Sequence, residues 1–154
     1  MRFTLTAADI CSRIVTITYP SMALGEAARL MRERSVGCLV VVQEVSPEES
    51  IVVGVLTDRD IAMGVVAADR DPHGLRVADA MTGKVVTARE DDTILDLLAM
   101  MRRSKIRRIP VTGPRNVLIG IVTLDDVLQA VAQQMQAVAA AVAAATSHER
   151  TTLP

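Results

Sequence analysis

Apolar residues recur at helical spacing twice in the chain, at Leu24, Ala27, Ala28 and Met31 and again at Ile94, Leu97, Leu98 and Met101. Each set follows the i, i+3, i+4, i+7 pattern of one buried helix face. Ser21 and the Asp91–Asp92 pair are the expected N-caps, since their short oxygens can accept first-turn N–H groups. A short β-rich piece precedes each helix, Ile14–Thr18 in one case and Val85–Thr87 in the other. Two aliphatic runs follow each helix: Cys38–Val42 with Ile51–Leu56, and Ile109–Val111 with Val117–Val122. Runs that are β-branched throughout suit strands covered on both faces. A second helix then opens at Thr57 or at Thr123, so both stretches read as β-α-β-β-α.

The two stretches are copies. An offset of 70 places Asp9 on Asp79, Val15 on Val85, Met31 on Met101, Arg32 on Arg102 and Val41 on Val111. It also aligns the apolar pairs Leu24/Ile94, Ala27/Leu97, Leu30/Met100, Val36/Ile106 and Leu39/Ile109. After a loop-length change the offset becomes 66, and IVVGVLTDRDIA at 51–62 lies on VLIGIVTLDDVL at 117–128. A unit of about 60 residues buries a core poorly by itself. The expected fold is therefore α/β (α+β): two repeats packed sheet to sheet with pseudo-two-fold symmetry, followed by a C-terminal helical extension. The expected boundaries are 7–67 and 76–133 for the repeats, 68–75 for an Asp/Pro/Gly linker, 134–147 for the extension and 148–154 for a flexible tail.

Composition narrows the function. Half of the 154 residues are hydrophobic, enough for a proper core, and the net charge is −1, which favours neither nucleic acid nor an anionic membrane. The aromatic residues are Phe3 and Tyr19, with no Trp, so base stacking has no platform and nucleic acid is not an expected partner. Cys11 and Cys38 lack CxxC spacing and His73 and His148 have no ligand-rich neighbours, so neither a metal site nor a disulfide is expected. The first nine residues lack the apolar stretch of a signal peptide. The longest apolar run, Ala137–Ala145, is shorter than the ~18–20 residues of a membrane span. A cytoplasmic chain with no membrane partner is the expectation. No catalytic residues are expected either, because the two histidines assemble no nucleophile–base pair and the glycine-rich phosphate loops are missing.

The informative element is GVLTDRD at 54–60 with its copy GIVTLDD at 120–126. Thr followed three residues later by an acid is a capping box, and capping alone accounts for a single occurrence. The recurrence of Gly54/Gly120, Thr57/Thr123 and Asp60/Asp126 at one strand-to-helix junction adds a second reading. A helix start attracts phosphate, an Asp one turn in suits a ribose diol, and the Gly permits close approach. Cap and ligand site are compatible roles.

These motifs resemble a stand-alone pair of CBS (cystathionine-β-synthase-type) domains, a Bateman module, over roughly residues 7–133. The likeness rests on VADAMT at 77–82, VVTAREDDT at 85–93, MMRRSKIRRIPVT at 100–112 and GIVTLDD, with MRERSVGCLVVV at 31–42 and GVLTDRDIA at 54–62 in copy one. Copy one departs early, where Asp9–Arg13 replaces a run ending in Met-Thr. The resemblance implies a regulatory module that binds an adenosine derivative: AMP, ADP or ATP, less readily S-adenosylmethionine or NAD, with no required cofactor. It places ribose on Asp60 and Asp126, and Thr57 and Thr123 near ribose or phosphate. It places Lys84, Val85 and Val86 with Arg108, Ile109 and Pro110 around the base in copy two. In copy one the corresponding residues are Ile14, Val15 and Thr16 with Cys38, Leu39 and Val40. Arg59 and at least one of Arg107 and Arg108 are candidate phosphate ligands, whereas Arg102, Arg103 and Lys105 read as a solvated helix end. The closer match of copy two makes Asp126 the weightier aspartate. The alternative is a ligand-free module for dimerisation or protein interaction, with an effector protein as partner in either case.

Beyond Leu124 the last helix carries Leu128, Val131, Met135, Val138, Val142 and Ala145, alternating steps of four and three. This is a heptad seam. It could lie on its own domain or pair with another chain, and a homodimer is the expectation.

Overall fold

A computed structural model describes residues 4–152. The repeat elements form two three-stranded sheets. One joins β1 (Ile17–Thr18), β2 (Cys38–Ser46) and β3 (Glu49–Thr57) in that order, and the other joins β4 (Ala88–Arg89), β5 (Arg108–Thr112) and β6 (Leu118–Thr123). In each sheet the first pair is parallel and the second antiparallel. The helix α2 (Leu24–Arg34) links β1 to β2, and α5 (Ile94–Ser104) links β4 to β5. After the strands come α3 (Asp58–Ile61), continued by a π-helical turn at Ala62–Val66, and α6 (Leu124–Thr152).

Two local expectations shift. The first strand of copy two is Ala88–Arg89 rather than Val85–Thr87, because ladder pairing begins only where Ala88 faces Val111. Neither expected N-cap acts as one. Thr93 caps α5 by a box with Asp96, while Asp92 instead accepts the Arg89 N–H at 2.7 Å. Ala23 stands at the cap of α2 without a side-chain bond, and the Leu24 N–H is satisfied by the Leu75 carbonyl at 2.9 Å.

The short helices that open the repeats, α1 (Ala7–Ile10) and α4 (Val77–Ala80), are exchanged between cores. Ala7 is buried among Leu97, Met101, Ile109 and Val122 of copy two, and Val77 among Leu24, Met31, Leu39 and Leu56 of copy one. The packing units thus differ from the sequence repeats, and each half completes the other. A third apolar cluster, Val40, Val42 and Val52 with Val85, Leu118 and Ile121, lies between the sheets. Asn116 Nδ2 ties the seam by donating to the Val52 carbonyl at 2.7 Å.

The last helix leaves this body. Its first turns bury Val127 and Ala130, but Leu128, Met135, Val138 and Val142 are each more than half exposed. The seam does not fold back on its own domain. Nor does the helix end at residue 147; its Ala-rich sequence has high helix propensity, and it continues to Thr152, about 43 Å in all. Leu124–Arg150 has the length and mean hydropathy, 1.3, that would by composition alone allow a membrane span, a property hidden by counting uninterrupted apolar runs. Gln129, Gln133, Gln134 and Gln136 interrupt the run.

Candidate functional site

The exchange of lead-in segments builds a cleft. Thr82 forms an antiparallel bridge with Val55 of β3, its N–H donating to the Val55 carbonyl at 2.9 Å and its carbonyl accepting the Val55 N–H at 3.1 Å. Gly54 makes this approach possible: a Cβ there would stand 2.9 Å from Met81 Sδ and 3.0 Å from the Thr82 carbonyl oxygen. Residues 84–86 of copy two are thereby held against the end of β3 and the start of α3 in copy one. A cleft of about 510 Å³ opens between them.

One wall is Cys38, Thr57, Asp58, Arg59 and Asp60, the start of β2 and the β3–α3 junction, where Cys38 faces Thr57 in the ladder. The other is Lys84–Val86, the turn Ser104–Arg107 and the start of β5. Apolar lining comes from Val55, Val86, Ile106, Pro110 and Ile121. Thr57 and Asp60 are locked in a capping box. The Thr57 N–H donates to Asp60 Oδ2 at 2.8 Å, and the Asp60 N–H donates to Thr57 Oγ1 at 3.0 Å.

That box is not distinctive alone. The aspartate three residues on accepts the cap N–H at 2.8 Å also at Thr6, Arg76, Thr93 and Thr123. What sets Thr57–Asp60 apart is the cleft that both residues line. Five basic side chains, Arg59, Lys84, Lys105, Arg107 and Arg108, line the same space against the two carboxylates of Asp58 and Asp60. Burial pushes the Cys38 thiol above its ordinary pKa, opposed by the Arg108 guanidinium and reinforced by Asp60 and Asp58. Cys38 is therefore a neutral wall group at physiological pH.

The structure brings together Thr57, Arg59, Asp60, Cys38, Lys84, Val86, Arg108 and Pro110 of the residues read from sequence. Leu39 and Ile109 point into the two cores and are fully buried, because alternate residues of a strand face opposite sides. Val15 packs between the sheets, and Ile14 is almost fully exposed. Thr123 and Asp126 form their own box at the start of α6, away from this cleft's lining. Lys105, read as part of a solvated helix end, is exposed at the left-handed cap position of α5, φ 55°, and from there also lines the cleft. Both Arg107 and Arg108 reach the cleft, where sequence required only one. Among the described residues no group of His, Cys, Asp and Glu is placed to hold a metal ion.

The family model for the CBS domain matches residues 7–67 and 77–133. The chain belongs to the CBS domain family. The CBS domain-containing protein YhcV of Bacillus subtilis is 34% identical over 118 residues, 77% of this chain and 79% of that protein. Inosine-5'-monophosphate dehydrogenase of Methanocaldococcus jannaschii is 35% identical over 116 residues, 75% of this chain but 21% of the enzyme. The CBS pair of protein MJ0100, solved with 5'-methylthioadenosine and S-adenosylmethionine, superposes with a TM-score of 0.73 at 24% identity, covering 85% of this chain and 98% of that one. The chain spans 60% and 65% of the length of two further curated relatives. This CBS pair is thus the fold of a regulatory module, and no catalytic family is indicated.

Proposed function

We propose that this CBS pair is a sensor whose inter-repeat cleft binds an adenine nucleotide, AMP, ADP or ATP, and passes the occupancy to a partner through the relation of its two halves. The observation that carries the reading is the coincidence, in one 510 Å³ cleft, of apolar walls, the Asp60 carboxylate and five basic side chains. The apolar walls accept a flat base, Asp60 accepts the ribose hydroxyls, and the cations meet phosphate. Adenosyl ligands in the MJ0100 pair support the choice of nucleoside. The second part of the proposal is assembly: the exposed seam of α6 pairs with that of a second copy, because four large apolar side chains at heptad spacing have no cover among the described residues.

Calorimetry with AMP, ADP, ATP, S-adenosylmethionine and NAD tests the reading. A saturable isotherm with at least one adenine nucleotide is expected. Silence for all five at millimolar concentration overturns it and leaves a ligand-free dimerisation module.

A further inference from the structure

The duplication gives the Thr57–Asp60 cleft a pseudo-equivalent location around Thr123 and Asp126, and the structure shows which positions correspond. Ser35 and Lys105 are both left-handed helix caps, at φ 53° and 55°. The Gly37 carbonyl accepts the Asp58 N–H at 3.0 Å, as the Arg107 carbonyl accepts the Leu124 N–H at 2.8 Å. Cys38 faces Thr57 as Arg108 faces Thr123. Ser12 bridges Ile121 as Thr82 bridges Val55, which places Ile14 where Lys84 stands in the other half.

The correspondence exposes a chemical difference. Each of the five cations of the Thr57–Asp60 cleft is lost in its counterpart. Lys84 becomes Ile14, Lys105 becomes Ser35, Arg107 becomes Gly37 and Arg108 becomes Cys38. Arg59, one residue before Asp60, becomes Asp125, which inverts the charge. Arg34, in the place of Ser104, and Arg108, in the place of Cys38, are the basic groups gained in exchange. The Gly37 position is tight as well: a Cβ there would lie 2.9 Å from Asp58 Oδ2, so a side chain at 37 requires that exposed carboxylate to turn away. Arg108 starts the strand that faces Thr123, yet it lines the Thr57 cleft, near enough to Cys38 to oppose the rise of its pKa.

Resting on the nucleotide reading above, the geometry points to a single phosphate site per chain: the Thr57–Asp60 cleft takes an adenosine di- or triphosphate, and its pseudo-equivalent around Thr123 and Asp126 takes no phosphate. Phosphate anions gain from several cations that converge on one cleft, and because all five are exposed the gain falls as salt rises. On the other side the same anion meets Asp125 and Asp126, and among the described residues the cation paired with them is Arg107, 4.0 Å from Asp125 and exposed to solvent. A cationic sulfonium such as S-adenosylmethionine gains nothing from five positive neighbours, so the cleft discriminates against it.

The test is titration calorimetry of the full chain with ATP, ADP, S-adenosylmethionine and adenosine, repeated on the charge-neutralised variant Lys84→Gln/Lys105→Gln. Both lysines are exposed, and circular dichroism checks that the variant is folded. The expected result is one ATP per chain, with ATP binding at least about tenfold tighter than adenosine or S-adenosylmethionine, the factor of one charge-assisted hydrogen bond. In the variant that advantage collapses, and the salt dependence of ATP binding falls with it. Two ATP per chain of similar affinity, or adenosine binding as tightly as ATP, overturns the single-phosphate-site inference while the nucleotide reading stands. An advantage for ATP unchanged in the variant overturns it too. Failure of all four ligands to bind overturns the nucleotide reading itself.

Discussion

Gly120 is where the exchange between halves can be broken with one methyl group. The lead-in segment of copy one crosses β6 there, and Ser12 and Ile121 trade two backbone hydrogen bonds, both 2.9 Å. A Cβ built on Gly120 stands 2.6 Å from the Ser12 carbonyl oxygen and 2.9 Å from Cys11 Sγ. The obstacle is backbone, so rotamer change cannot relieve it; Gly120→Ala must push Ser12 away. Overpacking of this kind costs ~1–3 kcal/mol, and each hydrogen bond opened adds ~0.5–1.5 kcal/mol. Water reaches the exposed Ser12 and reduces the second contribution, giving about 2–4 kcal/mol in total. Urea unfolding at fixed protein concentration should show a lower midpoint with an unchanged slope. Gly54→Ala should cost less, because its backbone obstacle, the Thr82 carbonyl oxygen, stands 3.0 Å away rather than 2.6 Å, and its other obstacle is the flexible Met81 side chain. Gly64→Ala is the control: nothing lies within 4 Å of its Cβ, and in the turn Ala62–Val66 alanine should stabilise by up to about 1 kcal/mol. A Gly120→Ala midpoint equal to wild type would refute the exchanged packing.

Three further outcomes are expected. Asp60→Asn keeps an acceptor for the Thr57 N–H but removes the charge, so ATP affinity should fall about tenfold or more with little loss of stability, whereas Asp126→Asn should leave ATP affinity within about twofold; the reverse order, measured by calorimetry, would move the site to the other half. ATP should protect Cys38 from a thiol reagent at pH 8 and leave Cys11 unprotected, since Cys38 lines the cleft and Cys11 does not; burial raises both thiols, so both unliganded rates should be below that of a free cysteine. Cutting the chain after Gln133 removes Met135, Val138 and Val142 from the seam, and light scattering should show the dimer weakened; a truncated chain as dimeric as the full one would place the interface on the domain helices.

Much of this protein was legible in one dimension. Periodicity marked α2 and α5, and the β-branched runs marked β2, β3, β5 and β6, because each element must hide one apolar face or both. The repeated Gly-x-x-Thr-x-x-Asp marked the two strand-to-helix junctions, and its box is made by neighbours three residues apart that meet whatever surrounds them. What lay beyond local spacing was decided in three dimensions. Sequence likeness favoured Asp126. That the lead-in of each repeat lands on the last strand of the other, which sets Lys84 and Asp60 on one cleft, is legible in neither repeat alone. Lys105 joined the site from a left-handed cap at a helix end, a backbone turn that composition does not announce. Ile109 and Leu39 left it because strand alternation turned them into the cores. Whether the seam of α6 was covered by its own domain was also undecidable from spacing, since a heptad stripe reads the same whatever lies against it; the departure of the helix from the body after Ala130 decided it. Local pattern determines elements because their bonds close within a few residues, whereas a cleft is made of residues some fifty apart in the chain and exists only once the two halves have exchanged their first helices.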